Sequence, residues 1–303
     1  MEHAGEQAVY SLVCNPGETM QIQWSESLEC YSFDTGELFV TMSPFGWYHG
    51  LTGMMYKSYP VNLVKPEKSF LNAEYYSRPG SELSMLPREI SGGRRINHEL
   101  LDDSVVVHFP PEREFSLGLD LCYSLHDDAI DMDVTINPGM DVPGFEIFFA
   151  SYVCEALEET WVPLSTQDGS REWTKLNNRG KMNSIFGVMR SASLFGHLPS
   201  VYPDSQVEVH EKPFSEPILV ARDPMSGLAL VFLCDPHLTK YLAGQYHGWD
   251  TAHDWAFGTD LVAGEEVSAR VRLICRRFQE IGHMQEEIAQ LWRAFENRDN
   301  HSR

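Results

Sequence analysis

The sequence lacks the features that mark several large classes of protein. Its 303 residues contain no Cys-x-x-Cys pair, no run of 18 apolar residues, no Gly-x-x-x-x-Gly-Lys-Ser/Thr loop and no Gly-x-Ser-x-Gly turn. Zinc clamps, dithiol redox centres, membrane-spanning helices, phosphate-cradling loops and serine-hydrolase elbows are therefore not expected. The six cysteines stand singly along the chain, which favours small core residues over a metal or redox role.

Basic residues are also scarce. Lys and Arg number 23 against 44 Asp and Glu, which gives a formal net charge of -21 at pH 7. Such a surface repels phosphate backbones and anionic lipid headgroups, so nucleic acids and membranes are not expected as partners. The first residues have neither the basic region nor the apolar stretch of a secretory signal. We expect a cytoplasmic protein that binds a small molecule or an oligosaccharide, and the oligomeric state stays open.

Apolar and aromatic residues, in contrast, are abundant and alternate with polar ones. Hydrophobic residues form 43% of the chain and aromatic residues 12%, which is enough for a large core. Residues 116–125 are apolar at every second position, and the alternation resumes over residues 130–136 after the turn-forming residues 126–128. Because a period of two places alternate side chains on opposite faces of a strand, this segment predicts a long hairpin.

The same pattern extends along most of the chain. It predicts further strands at residues 8–14, 20–24, 38–42, 105–109, 146–153, 207–210, 218–221, 228–234 and 267–275. Many strands without intervening amphipathic helices favour a mostly β, antiparallel sandwich over a βαβ fold. Near the end, apolar residues at steps of three and four predict an amphipathic helix. We therefore expect one β domain over residues 1–278, a helix packed on it at 279–296, and a frayed tail at 297–303.

Two long segments show no clear period. Residues 44–93 and 167–203 are rich in Gly, Pro, Ser, Asn and aromatic residues. Loops of this length in a compact domain usually serve a function. Both segments are therefore expected to contribute to function.

Three short motifs between residues 100 and 275 suggest a family. They are the hairpin at residues 123–134, Phe-Phe-Ala-Ser-Tyr at 148–152, and Leu-Val-Ala-Gly-Glu-Glu at 261–266 followed by a strand. In kind and order they resemble the galactose mutarotase-like, or aldose 1-epimerase-like, proteins. The resemblance implies an antiparallel supersandwich of two large sheets with a concave cleft for a sugar.

The resemblance also has a local departure. The motif at residues 148–152 is similar to the aldose 1-epimerase segment that carries a catalytic histidine, and Ala150 stands at that position here. The family pairs that histidine, as general acid, with a glutamate as general base. Because alanine cannot transfer a proton, the resemblance implies the fold and a sugar ligand but not the usual acid. The wider fold class also contains lyase and hydrolase domains and proteins without known activity.

The densest group of polar and aromatic residues spans residues 244–255. Its histidines, aspartates and tryptophans, set between glycines, offer aromatic faces for a pyranose ring and polar groups for its hydroxyls. The candidates in this group are His247, Trp249, Asp250 and His253. Convergence of its histidines and Asp250 with His237 would also suit a divalent metal, although the spacing matches no established metal motif. A structural, hydrogen-bonded loop is the simpler alternative.

Further candidates lie elsewhere in the chain. His49 sits in the glycine- and aromatic-rich run Phe-Gly-Trp-Tyr-His-Gly and is predicted at the edge of the cleft, with a packed loop as the alternative. Arg95 and His98 follow a Gly-Gly pair and suit a carboxylate or sugar hydroxyls, with solvated charge as the alternative. Tyr152 and Glu155 end the strand that resembles the epimerase active-site strand. Glu211 is the remaining carboxylate candidate, and an ordinary strand-end charge is its alternative.

The sequence as a whole favours a carbohydrate-processing enzyme, an epimerase, isomerase or lyase, that uses general acid–base chemistry on a sugar or sugar acid. The acid and base candidates are His247, Tyr152, Glu155 and Glu211. The substrate-binding candidates are Arg95, His98, His49, Trp249, Asp250 and His253. No cofactor is expected, with a divalent metal as the alternative. A non-catalytic carbohydrate-binding or interaction domain of the same fold is the second hypothesis, and the alanine at position 150 supports it.

Overall fold

The computed structural model describes residues 21–80, 84, 86–93, 96–176, 184–194, 206–246 and 251–302. The strand predicted at residues 8–14 lies outside this part of the chain. Within it, twenty strands form three sheets and are accompanied by two helices. Most of the chain is therefore β structure, as its alternating pattern predicts.

The first sheet has five antiparallel strands in chain order. They are β1 (Gln21–Ser25), β2 (Cys30–Asp34), β3 (Leu38–Ser43), β4 (Gly50–Tyr56) and β5 (Tyr59–Asn62). Burial alternates along β3, where Leu38, Val40 and Met42 join the main core while the residues between them are partly exposed. This alternation is typical of a sheet with one covered face.

The second sheet has nine strands in the order β13-β12-β16-β17-β20-β10-β9-β8-β7. These are β7 (Asn97–Leu100), β8 (Ser104–Phe109), β9 (Leu117–Leu125), β10 (Ala129–Pro138), β12 (Glu159–Ser165), β13 (Arg171–Leu176), β16 (Ile218–Arg222), β17 (Leu228–Cys234) and β20 (Val267–Arg277). The predicted hairpin is confirmed, because β9 and β10 pair with Ile130 opposite Leu125.

The third sheet has six strands in the order β15-β14-β18-β19-β11-β6. These are β6 (Asn72–Ser77), β11 (Val142–Val153), β14 (Ser184–Met189), β15 (Gln206–Val209), β18 (Thr239–Tyr246) and β19 (Thr251–Leu261). Four of its five pairings are antiparallel, while β14 and β15 pair in parallel. The parallel edge pair departs from the wholly antiparallel arrangement predicted from sequence.

The nine- and six-stranded sheets pack face to face over the main core. Phe149 of β11 stacks on Trp255 of β19 with ring centres 5.7 Å apart, and Phe232 of β17 lies 5.5 Å from Trp255. All three side chains belong to one buried cluster that also includes Leu121 of β9. Aromatic pairs at this spacing add directional packing to the free energy of burial.

Helix α2 (Ile281–Ser302) covers the outer face of the nine-stranded sheet. Its residues Met284, Ile288, Trp292 and Phe295 are buried in a cluster with Val231 and other strand side chains. The steps of three and four in the sequence therefore mark a helix packed on its own sheet. The helix continues beyond residue 296, where the sequence predicts it to end and fray. Neither helix in the described residues has the length and apolar character needed to cross a membrane.

Sequence periodicity missed two features of this architecture. Three sheets are present rather than two, because β1 to β5 form a sheet of their own. The segment at residues 44–93, which shows no period, contains three strands and helix α1 (Leu86–Gly92). Strand β6 in this segment is buried on both faces, so polar and apolar residues do not alternate along it.

Candidate functional site

The six-stranded sheet has a second face, directed away from the main core, which we call the distal face. Along β19, Trp255 points into the core and Asp254 to the distal face. Paired residues share a face, so a row runs across the sheet through Gly187, Ala243, Asp254, Ala150 and Asn72. Asp254 thus projects from a row of small side chains. Ala150, where the sequence resemblance implies a histidine, lies on this face.

Aromatic side chains flank this row. Tyr152 lies opposite Ala252 on one side, while Tyr241 and Phe148 both lie opposite Ala256 on the other. Burial raises the pKa of Tyr241, and the charge of the Asp254 carboxylate raises it further. The same carboxylate contributes to the raised pKa of Tyr152, after burial and a second carboxylate, Glu74. The electrostatic influence of Asp254 therefore reaches tyrosines on both sides of it.

A β-bulge places Glu74 on the distal face. Tyr75 pairs with Phe148 and Ala73 pairs with Phe149, which leaves Glu74 as an extra residue in β6. A bulge of this kind redirects side chains, so that consecutive residues share a face. Tyr75 accordingly packs in the distal-face cluster, while Ala73 belongs to the main core.

Glu74 is the centre of a buried hydrogen-bonded group, the Glu74 cluster, formed by Asn72, Glu74, Arg88 and Tyr152. The Tyr152 hydroxyl donates to Glu74 Oε1 at 2.9 Å, and Asn72 Nδ2 donates to the same oxygen at 3.0 Å. Arg88, from α1, forms an ion pair with Glu74, and its Nη2 lies 3.1 Å from the Tyr152 hydroxyl. One carboxylate oxygen thus accepts from three side chains on three elements.

Aromatic rings enclose the cations of this region. The Arg88 guanidinium lies 4.7 Å from the ring centre of Tyr48, 5.4 Å from Trp47 and 5.5 Å from Tyr75. Lys68 Nζ lies 4.2 Å from the Tyr48 ring centre and 2.6 Å from its hydroxyl. Cation–π contacts fix these charges in place. Trp47 keeps 41% of its surface exposed, so it can present a ring face to a ligand.

Burial and charge oppose each other at Glu74. Burial raises the pKa of Glu74, while Arg88 and the hydrogen bond from Tyr152 act against that rise without cancelling it. Burial by itself would lower the pKa of Arg88, but the neighbouring Glu74 carboxylate raises it above its usual value. A carboxyl group whose pKa is raised by burial and which lies beside a permanent cation is suited to proton transfer.

Asn72 Oδ1 and the Tyr241 hydroxyl oxygen, both on the distal face, are buried and have no hydrogen-bond partner among the described residues. An unsatisfied buried polar atom costs about 1–3 kcal/mol. A ligand that carries several hydroxyl groups would satisfy such atoms.

The predicted site residues fall in several places, and Tyr152 and His49 lie nearest to the Glu74 cluster. Tyr152 is a member of it. His49 is buried directly behind it and contacts the amide of Ala73. His253 points the other way, into the core, where Nε2 lies 3.1 Å from Thr160 Oγ1 and its ring stacks on Phe232. The structure thus separates His253 from the distal face, although it adjoins Asp254 in sequence.

Three other predicted residues lie away from the cluster. His98 packs in an aromatic group near β1, with Nδ1 2.7 Å from the Tyr31 hydroxyl. Glu155 is exposed and forms an ion pair with Lys65 at 3.0 Å. Glu211 follows β15 and lines a cavity of about 320 Å³ at that edge of the sheet. Four strand steps separate β15 from β11, a distance of about 19 Å, which keeps Glu211 apart from Tyr152.

His247, Trp249, Asp250 and Arg95 lie outside the described residues. His237 is exposed in the turn after β17, where its amide donates to Asp235 Oδ1 at 2.7 Å. Among the described residues, no three His, Cys, Asp or Glu side chains are grouped so as to hold a metal ion.

The sequence missed Glu74, Arg88 and Asp254. Two of them lie in the segment at residues 44–93, which its length marks as functional but whose charged residues carry no further signal. Asp254 had a local signal, because alanines stand two positions before and after it, on the same face of the strand. A lone carboxylate among small residues at strand spacing indicates a polar group on a buried face.

Comparison with known proteins identifies the fold. No protein-family model and no curated protein sequence matches the chain. A solved structure of a candidate aldose 1-epimerase from Escherichia coli K12 superposes with a TM-score of 0.53 at 10% identity, over 86% of this chain and 100% of that one. A galactose mutarotase related enzyme from Lactobacillus acidophilus gives 0.52 at 8% identity, over 82% and 97%.

A third structure, a galactose mutarotase-like protein from Lactobacillus casei, gives a TM-score of 0.50 at 9% identity, over 82% of this chain and 100% of that one. The chain therefore has the galactose mutarotase-like fold, and the resemblance seen in the sequence is confirmed at the level of the fold. At sequence identities of 8–10%, these similarities show a shared fold and not a shared activity.

Proposed function

We propose that this chain is a carbohydrate isomerase or epimerase that transfers protons with Glu74 and Asp254, while Tyr152 hydrogen-bonds to Glu74. The observation that carries the proposal is the hydrogen bond between the Tyr152 hydroxyl and Glu74 Oε1 at 2.9 Å, on the same sheet face as Asp254. Acid–base catalysis requires a proton donor and a proton acceptor within reach of the ligand. Neighbours in fold named as an epimerase and a mutarotase-related enzyme support a sugar as the ligand.

The chemistry of such a reaction suits two carboxyl groups. Opening a pyranose ring requires a base that removes the proton from the anomeric hydroxyl and an acid that protonates the ring oxygen as its bond to the anomeric carbon breaks. In the proposed arrangement Asp254 accepts the first proton, and Glu74 supplies the second. Ring closure on the other face of the carbonyl reverses both transfers and leaves the enzyme unchanged.

The other side chains have supporting roles. Burial raises the pKa of Tyr152 well above its usual value, so its hydroxyl stays protonated and donates a hydrogen bond. Arg88 remains charged and balances the negative charge of Glu74 when the carboxyl loses its proton. Trp47, partly exposed beside Arg88, supplies an aromatic face for a sugar ring.

A second candidate function is a non-catalytic carbohydrate-binding domain. Ala150 favours it, because this residue occupies the distal face where the family carries its acid. A binding domain would keep the aromatic and polar groups of the site but would not accelerate a reaction. The two functions therefore differ in turnover and not in binding.

Anomer exchange and binding measurements distinguish the two. We expect the protein to accelerate interconversion of the anomers of D-glucose, D-galactose or D-glucuronate, measured by NMR exchange spectroscopy. Glu74→Gln should slow exchange by roughly 10²- to 10⁴-fold, the usual contribution of one acid–base group. Tyr152→Phe, which removes the hydrogen bond to Glu74, should slow it by a smaller factor. Tyr152→Phe removes only a hydroxyl, so it tests the same pair if the glutamine variant does not fold.

Glu155→Gln is the matched control, because it neutralises an exposed carboxylate paired with Lys65 and should leave the rate unchanged. Sugar binding by the wild-type protein without any acceleration would favour the binding domain. Accelerated exchange that survives both Glu74→Gln and Tyr152→Phe would remove the Glu74 cluster from the mechanism.

A further inference from the structure

His49 occupies a position between the two elements that carry the Glu74 ion pair. It lies directly before β4 and is 99% buried, and its ring packs on Phe109 with centres 5.1 Å apart. Nε2 accepts the backbone N–H of Ala73 at 3.2 Å, and Nδ1 lies 3.0 Å from Ser91 Oγ. One ring nitrogen thus contacts β6 and the other contacts α1.

These contacts define the state of the ring. An amide N–H can only donate, so Nε2 carries no proton and the neutral ring donates from Nδ1 to Ser91 Oγ. The Ser91 hydroxyl can in turn donate to the carbonyl of Gly46 at 2.8 Å. Burial and then the charge of Arg88 lower the pKa of His49 to about 3, so the ring stays neutral near pH 7.

The contact of His49 with Ala73 is made at the β-bulge of β6. Ala73 is the residue directly before Glu74, the extra residue that the bulge turns to the distal face. A bulge disrupts the regular ladder and leaves amide groups that need partners outside it. His49 provides that partner for Ala73, so the imidazole fixes the backbone from which the Glu74 side chain extends.

The contact of His49 with Ser91 joins it to α1, the helix that carries Arg88. Ser91 lies three residues after Arg88, on the short helix α1. Neighbours three residues apart lie on the same side of a helix. The imidazole therefore sets the distance between the strand of Glu74 and the helix of Arg88.

We propose that His49 is a positioning residue, whose imidazole joins the β6 bulge to α1 and so holds Glu74 in register with Arg88 and Tyr152. This inference rests on the proposed function for its catalytic meaning, but its structural content can be tested without turnover. It assigns His49 a role behind the site and not a contact with the substrate.

The test compares His49→Phe, which removes both hydrogen bonds, with His49→Gln, whose amide can accept from Ala73 and donate to Ser91. In ¹³C-labelled protein, the phenylalanine variant should shift the carboxyl resonance of Glu74 and accelerate amide exchange at Ala73 about tenfold. If turnover is present, kcat should fall about 100-fold with KM nearly unchanged. The glutamine variant should restore all three measurements.

His253→Phe is the matched control, because His253 is equally buried but faces the core on the other side of the sheet. It should leave the Glu74 resonance in place. An unshifted Glu74 resonance in His49→Phe, or the same shift in His253→Phe, would overturn the proposal.

Ser91→Ala covers the case in which His49→Phe does not fold. It removes only the partner on α1 and should give a smaller shift of the Glu74 resonance, so an unchanged resonance there also contradicts the proposal. Failure of the proposed function is distinguishable from these outcomes, since the wild-type protein would then show no sugar turnover while the NMR differences persisted.

Discussion

At the scale of the residue, one step along a strand decides between structural and chemical roles. His253 and Asp254 are adjacent on β19, yet His253 stacks on Phe232 in the core while Asp254 joins the distal face. Successive side chains of a strand point to opposite faces of the sheet, so these two neighbours have different surroundings. At Glu74 the bulge interrupts this period and brings an additional carboxyl group to the same face.

The buried histidine predicts how stability depends on pH. Burial lowers the pKa of His253 from 6.5 to about 3, so below pH 6.5 the unfolded chain binds a proton that the folded protein does not. The contribution of His253 to stability is therefore fully present above that pH and falls as the pH drops towards 3, by about 1.4 kcal/mol per pH unit.

Urea unfolding between pH 6 and 4 checks this expectation. His253→Gln should flatten the pH dependence of the unfolding free energy by about 1.4 kcal/mol per pH unit. His283→Gln, an exposed histidine on α2, is the control and should leave the slope as in the wild type. An unaltered slope in His253→Gln would show that the imidazole titrates normally in the folded protein.

At the scale of the element, the turns between strands differ in how closely they approach other backbone. Gly227, between β16 and β17, has a φ of +72° and accepts the amide of Phe278 at 2.8 Å. A Cβ there would lie 2.2 Å from the Phe278 carbonyl oxygen. Gly264, between β19 and β20, has a φ of +79° with nothing within 4 Å of such a Cβ.

Alanine variants of Gly227 and Gly264 distinguish the cost of a left-handed backbone conformation from the cost of a close contact with neighbouring backbone. Gly264→Ala should cost roughly 1–2 kcal/mol, the penalty of a left-handed conformation for an L-residue. Gly227→Ala carries the same penalty and must also displace the end of β20, which adds about 1–3 kcal/mol. Urea unfolding of both variants measures the difference. Equal losses would mean that the turn at Gly227 moves freely away from Phe278.

At the scale of the whole molecule, charge dominates the long-range behaviour. The net charge of -21 coexists with ordered ion pairs on the outer face of the nine-stranded sheet, where Arg272 binds Asp131 at 2.5 Å and Arg270 binds Asp133 at 2.5 Å. Because these arginines are already paired, they add little attraction for external anions. The net charge of the chain therefore stays strongly negative.

We predict that the protein does not bind anionic surfaces. Sedimentation with phosphatidylserine vesicles and gel mobility with duplex DNA should both show no retention at 0.15 M salt. Lower ionic strength lengthens the screening distance from about 8 Å to about 30 Å at 0.01 M, which should strengthen the repulsion. Retention that increases as salt is lowered would reveal a basic patch strong enough to overcome the net charge.

Much of the architecture follows from local patterns. The hairpin of β9 and β10, the strands β17 and β20, and helix α2 were predicted because their periods and turn residues lie within a few neighbouring positions. Tyr152 was singled out in the sequence through its position at the end of a recognisable strand. Glu74 was not, because β6 is buried on both faces and its bulge has no period to detect. Arg88 lies on α1, which has only seven residues and is too short to show a helical period.

Alternation along the chain was enough to establish a mostly β protein with a closing helix, since the side-chain period is a property of each strand by itself. Pairing between distant strands decided the rest. The number of sheets, the parallel edge pair and the bulge that turns Glu74 towards Arg88 and Tyr152 all depend on which strands lie side by side. Strand pairing joins residues far apart in sequence, and only the folded chain contains that information.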